Sequence, residues 1–178
     1  MRRKRDRSAD QTPATLYPAP IISERLIIRE ATRADARELE RTMDDADFED
    51  GDRTPDGARR FGAGLSEVPV WTATRAVCEK GSARIVGGLV FSDVDDATAD
   101  VQRIGFWLQP DAADHATELI SAAAERAQRL GADRVVMHLR AEAEGHHRAA
   151  EQAGFRHVGT VVHSVGDRQV QFREFVRP

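Results

Sequence analysis

The chain has 178 residues, 31% of them charged and 40% hydrophobic, with a net charge of −4. That length and mix fit one soluble globular domain and exclude a wholly disordered chain. The single cysteine, Cys78, excludes an intrachain disulfide framework and a multi-cysteine zinc site.

Apolar runs such as Ile104 to Leu108 are far too short to span a bilayer. The charged N-terminus has no apolar stretch behind it, so a secretory signal is not expected and a cytoplasmic location is. Residues 1–20 hold five basic and two acidic groups, +3 in all, which leaves −7 for the rest. An acidic body is a poor match for nucleic acid, and the basic segment, with Pro13, Pro18 and Pro20, reads as a disordered tail. One domain over residues 21–178 follows.

Taken in order, Arg25 to Arg29 reads as a first strand. Thr32 is placed to cap a helix over about Arg33 to Asp45, with Ala36, Leu39 and Met43 on its inner face. Residues 49–69 are rich in Gly, Pro and charge and read as a loop bordering a site. Trp71 to Glu79 and Ala83 to Phe91 read as a hairpin turning at Lys80-Gly81-Ser82. Gly87-Gly88 marks a bulge or a close backbone approach. Asp93, Asp95 and Asp96 make a turn before a strand over Val101 to Gln109. Asp114 is the expected cap of a long helix reaching Leu130, closed by Gly131. A buried strand over Arg134 to Leu139 follows, then a helix over Glu142 to Ala153 stopped by Gly154. Phe155 to Ser164 and Arg168 to Val176 form a last hairpin about Gly166-Asp167. The order is that of a mixed sheet with helices packed on it, and the unit from Val101 to Leu139 is a βαβ crossover.

Several segments carry a resemblance. Ser23-Glu24-Arg25-Leu26-Ile27-Ile28-Arg29 resembles the opening strand of the GNAT N-acetyltransferase superfamily, nearest the branch that acetylates ribosomal-protein N-termini. Ile104-Gly105-Phe106-Trp107-Leu108-Gln109-Pro110 resembles its fourth strand, Ala116-Thr117-Glu118 the start of its cofactor helix, and Glu151-Gln152-Ala153-Gly154-Phe155 its late helix–strand junction. Together they span residues 23–176. The resemblance implies an α/β (α+β) fold with a mostly antiparallel sheet of about seven strands and helices on both faces. It implies transfer of an acetyl group from acetyl-CoA to an amine of a small molecule or a protein N-terminus. It implies cofactor contacts at Leu108, Gln109, Asp114, His115, Ala116, Thr117 and Ala143, and an isologous dimer is the prior for such an architecture.

The sequence also departs from the family pattern. The pyrophosphate loop is expected to offer glycines and an arginine, because backbone N–H groups must approach the phosphates closely. Here Asp111-Ala112-Ala113-Asp114-His115 stands instead, about two residues short. The usual Asn of the late helix is Ala143, a common Ser is His146, and a frequent Tyr general acid is Ala150. A frequent Glu on the fourth strand is Arg103, which cannot serve as a base at neutral pH. The alternative reading is a GNAT fold without acetyl transfer, a binding or regulatory module or one with different chemistry in the same cleft.

Arg103 and His138 remain the candidate catalytic residues. His138 shares a strand face with Val136, opposite Val135, Met137 and Leu139, and is either an active-site base or a packed core histidine. Arg103 or its neighbour Gln102 faces the cleft and binds an acidic group of the acceptor. Thr117 either donates to a phosphate or only completes a helical turn, and His115 is expected at an exposed helix end. Adjacent His146 and His147 point to different helix faces, so no metal site is expected. Cys78, Trp71 and Trp107 read as core, and Arg59-Arg60 as a solvated pair.

Overall fold

The computed structural model describes residues 19–45, 74–93, 101–165 and 168–178. The tail through residue 18, the 49–69 loop with Arg59-Arg60, Trp71, the turn residues Asp95 and Asp96, and the Gly166-Asp167 turn lie outside the described residues.

Eight strands form one sheet: β1 (Ile21–Ile22), β2 (Leu26–Glu30), β3 (Thr74–Glu79), β4 (Ile85–Asp93), β5 (Val101–Leu108), β6 (Arg134–Arg140), β7 (Arg156–Val165) and β8 (Arg168–Arg177). Their order across the sheet is β1-β2-β3-β4-β5-β6-β8-β7. Every neighbouring pair is antiparallel except β5 and β6. The two-residue strand β1, too short for an alternation signal, was not expected and raises the count from seven to eight.

Helix α1 (Ala36–Asp45) lies on one face, α2 (Ala116–Arg129) and α3 (Glu144–Gln152) on the other. Strand alternation sorts the side chains between them. Ile104, Phe106, Leu108, Val135, Met137, Leu139 and Phe175 join the buried face of α2 and α3. Leu39 and Met43 of α1 pack on Ala76, Cys78, Val90 and Trp107 on the other side.

The first helix starts with a 3₁₀ turn, Arg33–Asp35. The expected Thr32 cap is present: its N–H and hydroxyl donate to the Asp35 carboxylate at 2.8 and 2.7 Å, and the Asp35 N–H donates back to the Thr32 carbonyl at 3.0 Å. Arg29 grips the same carboxylate in a two-pronged pair at 2.8 and 2.9 Å.

Gly87-Gly88 combines both expected features. The ladder to β3 shifts register between Val77 and Cys78, opposite Gly87. A Cβ on Gly88 would fall 2.2 Å from the Trp107 ring, and one on Gly87 2.1 Å from the Trp107 carbonyl oxygen. The missing side chain at Gly88 is the room that the buried indole occupies, while its Nε1–H donates to Thr42 Oγ1 at 3.0 Å.

Both later helices end as read, on left-handed Gly131 (φ 101°) and Gly154 (φ 85°). Their beginnings differ. Asp114 does not cap α2; residues Pro110–His115 form a 3₁₀ helix that leads into α2 at Ala116. The proline at its start and the two fewer residues leave no slack for an extended loop, so the chain coils directly into the helix.

Candidate active site

Strands β5 and β6 run parallel but pair over only three residues each, Val101 to Arg103 against Arg134 to Val136. Beyond them β5 pairs only with β4, and β6 only with β8. The strands therefore part, and the backbone groups on their facing edges from Ile104 and Met137 onward border a gap. Edge N–H and C=O groups need partners, so such a gap is a ready seat for an extended, amide-bearing molecule. On the α2–α3 side the His146 ring meets Phe106 of β5 edge-on at 5.3 Å.

The opposite side of the fork carries titratable groups. His138 lies on β6 two residues past the last pair. Its Nδ1 sits 2.8 Å from His163 Nε2 of β7, a hydrogen bond in which one nitrogen donates and the other accepts. Its own Nε2 lies 4.0 Å from a Glu174 carboxylate oxygen. The His138 ring, on β6, is the one beside the fork, and His163, on β7 with β8 between, lies behind it. His138 is 9% exposed, and burial first, then the charges of Arg103 and His163, lower it to about 4. Burial and then Arg103 lower His163 as well. Both rings are thus neutral at pH 7.

Arg103 faces this side, while its neighbour Gln102 is turned into the opposite face and buried. The Arg103 Nε is buried with no hydrogen-bond acceptor among the described residues. So the structure brings Arg103 and His138 together and adds two groups that the sequence reading did not select, His163 and Glu174. Only the register of the last hairpin, His163 and Glu174 turned to the same face as His138, places them there.

The residues expected at the cofactor are arranged differently. Leu108 is core. Gln109 is buried; its N–H donates to the Val86 carbonyl at 2.8 Å, and its side-chain oxygen accepts from Arg84 at 3.4 Å. His115, expected at an exposed helix end, is instead 8% exposed and points at Glu79, 3.5 Å away, because the 3₁₀ helix turns it inward. Asp114 is paired with Arg25 at 2.7 Å and Asp111 with Arg84 at 2.8 Å. Arg25 also binds Glu118 at 2.8 Å. Burial alone would raise the Glu118 carboxyl, but hydrogen bonds from Ser23, the Arg25 N–H and its guanidinium hold it at about 2. Ala116 is buried at the first position of α2. The Thr117 hydroxyl donates to Gln152 at 2.9 Å and ties α2 to α3. Ala143 precedes α3, whose first turn has no side-chain cap.

His146 and His147 do diverge, the second onto the Arg140 carbonyl at 2.8 Å and the Phe175 ring. No cluster of three or more metal-ligating side chains occurs among the described residues. No helix among them is long and apolar enough to cross a membrane. Cys78 is buried, and burial pushes its thiol up.

A mostly antiparallel sheet that forks between its one parallel pair, with helices on both faces, is an acyltransferase-type α+β architecture. Residues 25–156 match the acetyltransferase (GNAT) domain family, and the chain belongs to that family. Among solved structures, it is similar to a GNAT-family acetyltransferase from Bacillus anthracis, with 20% identity, TM-score 0.70, and 89% of this chain and 98% of that one covered. It is also similar to Mycobacterium smegmatis RimJ, solved in complex with CoA-disulfide, with 15% identity, TM-score 0.68, and 91% and 88% covered. At such identities the likeness concerns the fold. No curated protein matches the sequence.

The family's donor, acetyl-CoA, brings a diphosphate to the start of the helix after the forked strand. A diphosphate needs open N–H groups and uncommitted cations. Here the Ala112 N–H is spent on the Gln109 carbonyl at 2.9 Å, and that of Ala116 on Ala113. Arg25 and Arg84 are spent on Asp114 and Asp111. These residues do not fit a diphosphate.

Proposed function

We propose that this chain is an N-acyltransferase that acetylates a primary amine, of a small molecule or a peptide, at the fork between β5 and β6. The observation that carries this reading is the neutral His138–His163 pair at 2.8 Å on the α1 side of the sheet, beginning at the fork strand β6. A nitrogen forming an amide must shed a proton. A neutral imidazole beside it takes that proton without a prior titration step. His138, on β6 at the fork, takes that proton through Nε2, and His163, on β7 with β8 between, accepts the His138 Nδ1–H and holds it in that tautomer. Burial, and then the charge of Arg103, keeps both rings neutral, and the Arg103 guanidinium is the cation that would meet an acidic group of the acceptor. This arrangement replaces the family's Glu base, whose place on β5 Arg103 occupies.

The test is acetyl transfer at pH 7.5 with wild type and His138→Gln. General-base assistance is worth about 10²–10⁴-fold, so the variant should lose rate on that scale while remaining folded by circular dichroism. Equal rates in the two proteins would sink the assignment.

A further inference from the structure

A second feature, at the far end of the same cleft, bears on the donor. Four carboxylates and two guanidiniums form a collar of two ion-paired clusters on the 3₁₀ helix Pro110–His115, Arg25 with Asp114 and Glu118, and Arg84 with Glu79 and Asp111. Glu79 is the branch point. It accepts from Ser82 at 2.9 Å and Arg84 at 3.4 Å and meets the His115 ring at 3.5 Å. Hydrogen bonds from Ser82 and then Arg84 hold the Glu79 carboxyl below its usual range. Behind the collar the helix is plugged by Ala112, with no exposed surface, and by His115. The Asp111 and Asp114 side chains, 62% and 67% exposed, face outward. An arriving phosphate meets carboxylates before it meets any donor.

From this collar and the open strand edges we infer that the acyl donor is recognised through a pantetheine arm alone. In a coenzyme A thioester, the nucleotide diphosphate then lies outside the protein without ionic recognition. This inference rests on the acyltransferase reading above. The arm has two amides, which suit the diverging edges of β5 and β6, strands that pair with each other only up to Arg103 and Val136. The reaction balances with any such thioester. The N–C bond forms, the C–S bond breaks with its electron pair leaving on sulfur, and the proton shed by the amine ends on the thiolate or solvent. Free S-acylpantetheine, a coenzyme A thioester and a carrier-bound phosphopantetheine thioester share this chemistry.

The experiment uses the full chain. Pantetheine and CoA are titrated by calorimetry, and kcat/KM is measured with S-acetylpantetheine and acetyl-CoA on one amine. One charge-assisted hydrogen bond to a phosphate is worth about tenfold. The expected result is that the two arms differ by less than about tenfold in both Kd and kcat/KM. A larger preference for acetyl-CoA overturns the inference while leaving the acyltransferase reading intact. Binding and turnover of neither overturns both. A third arm, with an acetylated carrier protein, distinguishes the sources: carrier preferred over free S-acetylpantetheine assigns the donor to a carrier. The double variant Asp111→Asn/Asp114→Asn removes the two outward carboxylates and leaves Arg84 and Arg25 each with a single carboxylate partner, Glu79 and Glu118. It should create a preference for acetyl-CoA of about tenfold or more. An unchanged ratio would contradict the role given to the collar.

Discussion

Acidification from pH 7 to 5 should cost the fold about 2 kcal/mol through His138 alone. His138 is 9% exposed and titrates at about 4, because burial, Arg103 and His163 all disfavour its charged form. In the unfolded chain it titrates near 6.5. Between those values the unfolded chain binds a proton that the native state refuses. The contribution is therefore complete above about pH 6.5 and is lost as pH falls toward 4, about 3 kcal/mol in full and about 2 by pH 5. His163 and His147 are lowered too, chiefly by burial, and add in the same direction. Carboxyls held low, Asp35 and Glu118 among them, contribute their loss mainly below pH 5. The assay is urea unfolding followed by circular dichroism at pH 7 and 5, for wild type and His138→Leu. The variant should be less pH-sensitive than wild type by about 2 kcal/mol or more. Equal pH sensitivity in the two proteins would refute the reasoning, since it would mean that His138 is solvated enough to protonate in place.

Three further outcomes follow from the geometry. Gly88→Ala puts a methyl 2.2 Å from the Trp107 ring and should cost at least about 1–3 kcal/mol in urea unfolding, with a change in near-ultraviolet dichroism; a neutral effect would mean that the indole is not held against β4. Asp35→Asn weakens the pair with Arg29, and its partly exposed surroundings limit the loss to about 1–2 kcal/mol at pH 7. That loss should vanish as the wild-type carboxyl protonates well below its ordinary range, and a pH-independent deficit would contradict the cause. Ala83 holds a left-handed backbone at φ 56° in the β3–β4 turn, so Ala83→Gly should raise the unfolding free energy by up to about 1 kcal/mol, seen as a higher melting midpoint; a drop would place the strain elsewhere.

The fold was legible in the sequence where local chemistry is decisive. Gly131 and Gly154 end their helices as read, Thr32 starts the first, and the Val135/Met137/Leu139 alternation separates His138 from the core. What was not legible depends on pairing at a distance. Asp114 has the residue type and spacing of a cap, yet Arg25, far away in sequence, holds its carboxylate. His115 looks like an exposed helix end and is buried because the 3₁₀ helix rotates it inward. His163 reaches His138 only through the β6–β8–β7 register, which no short-range pattern encodes. Residues 111–115 lack the glycines that the resemblance implies, and the ion pairs at Asp111 and Asp114 come from Arg84 and Arg25, on segments that the motif does not include.

The most direct test of the account is mass spectrometry of a panel of primary amines and peptides incubated with the wild-type protein at pH 7.5 and each acetyl thioester in turn. The account predicts at least one acetylated amine, formed from S-acetylpantetheine about as well as from acetyl-CoA and strongly reduced with His138→Gln. No acetylated product from any thioester, with the protein folded throughout, would contradict acyl transfer at the β5–β6 fork.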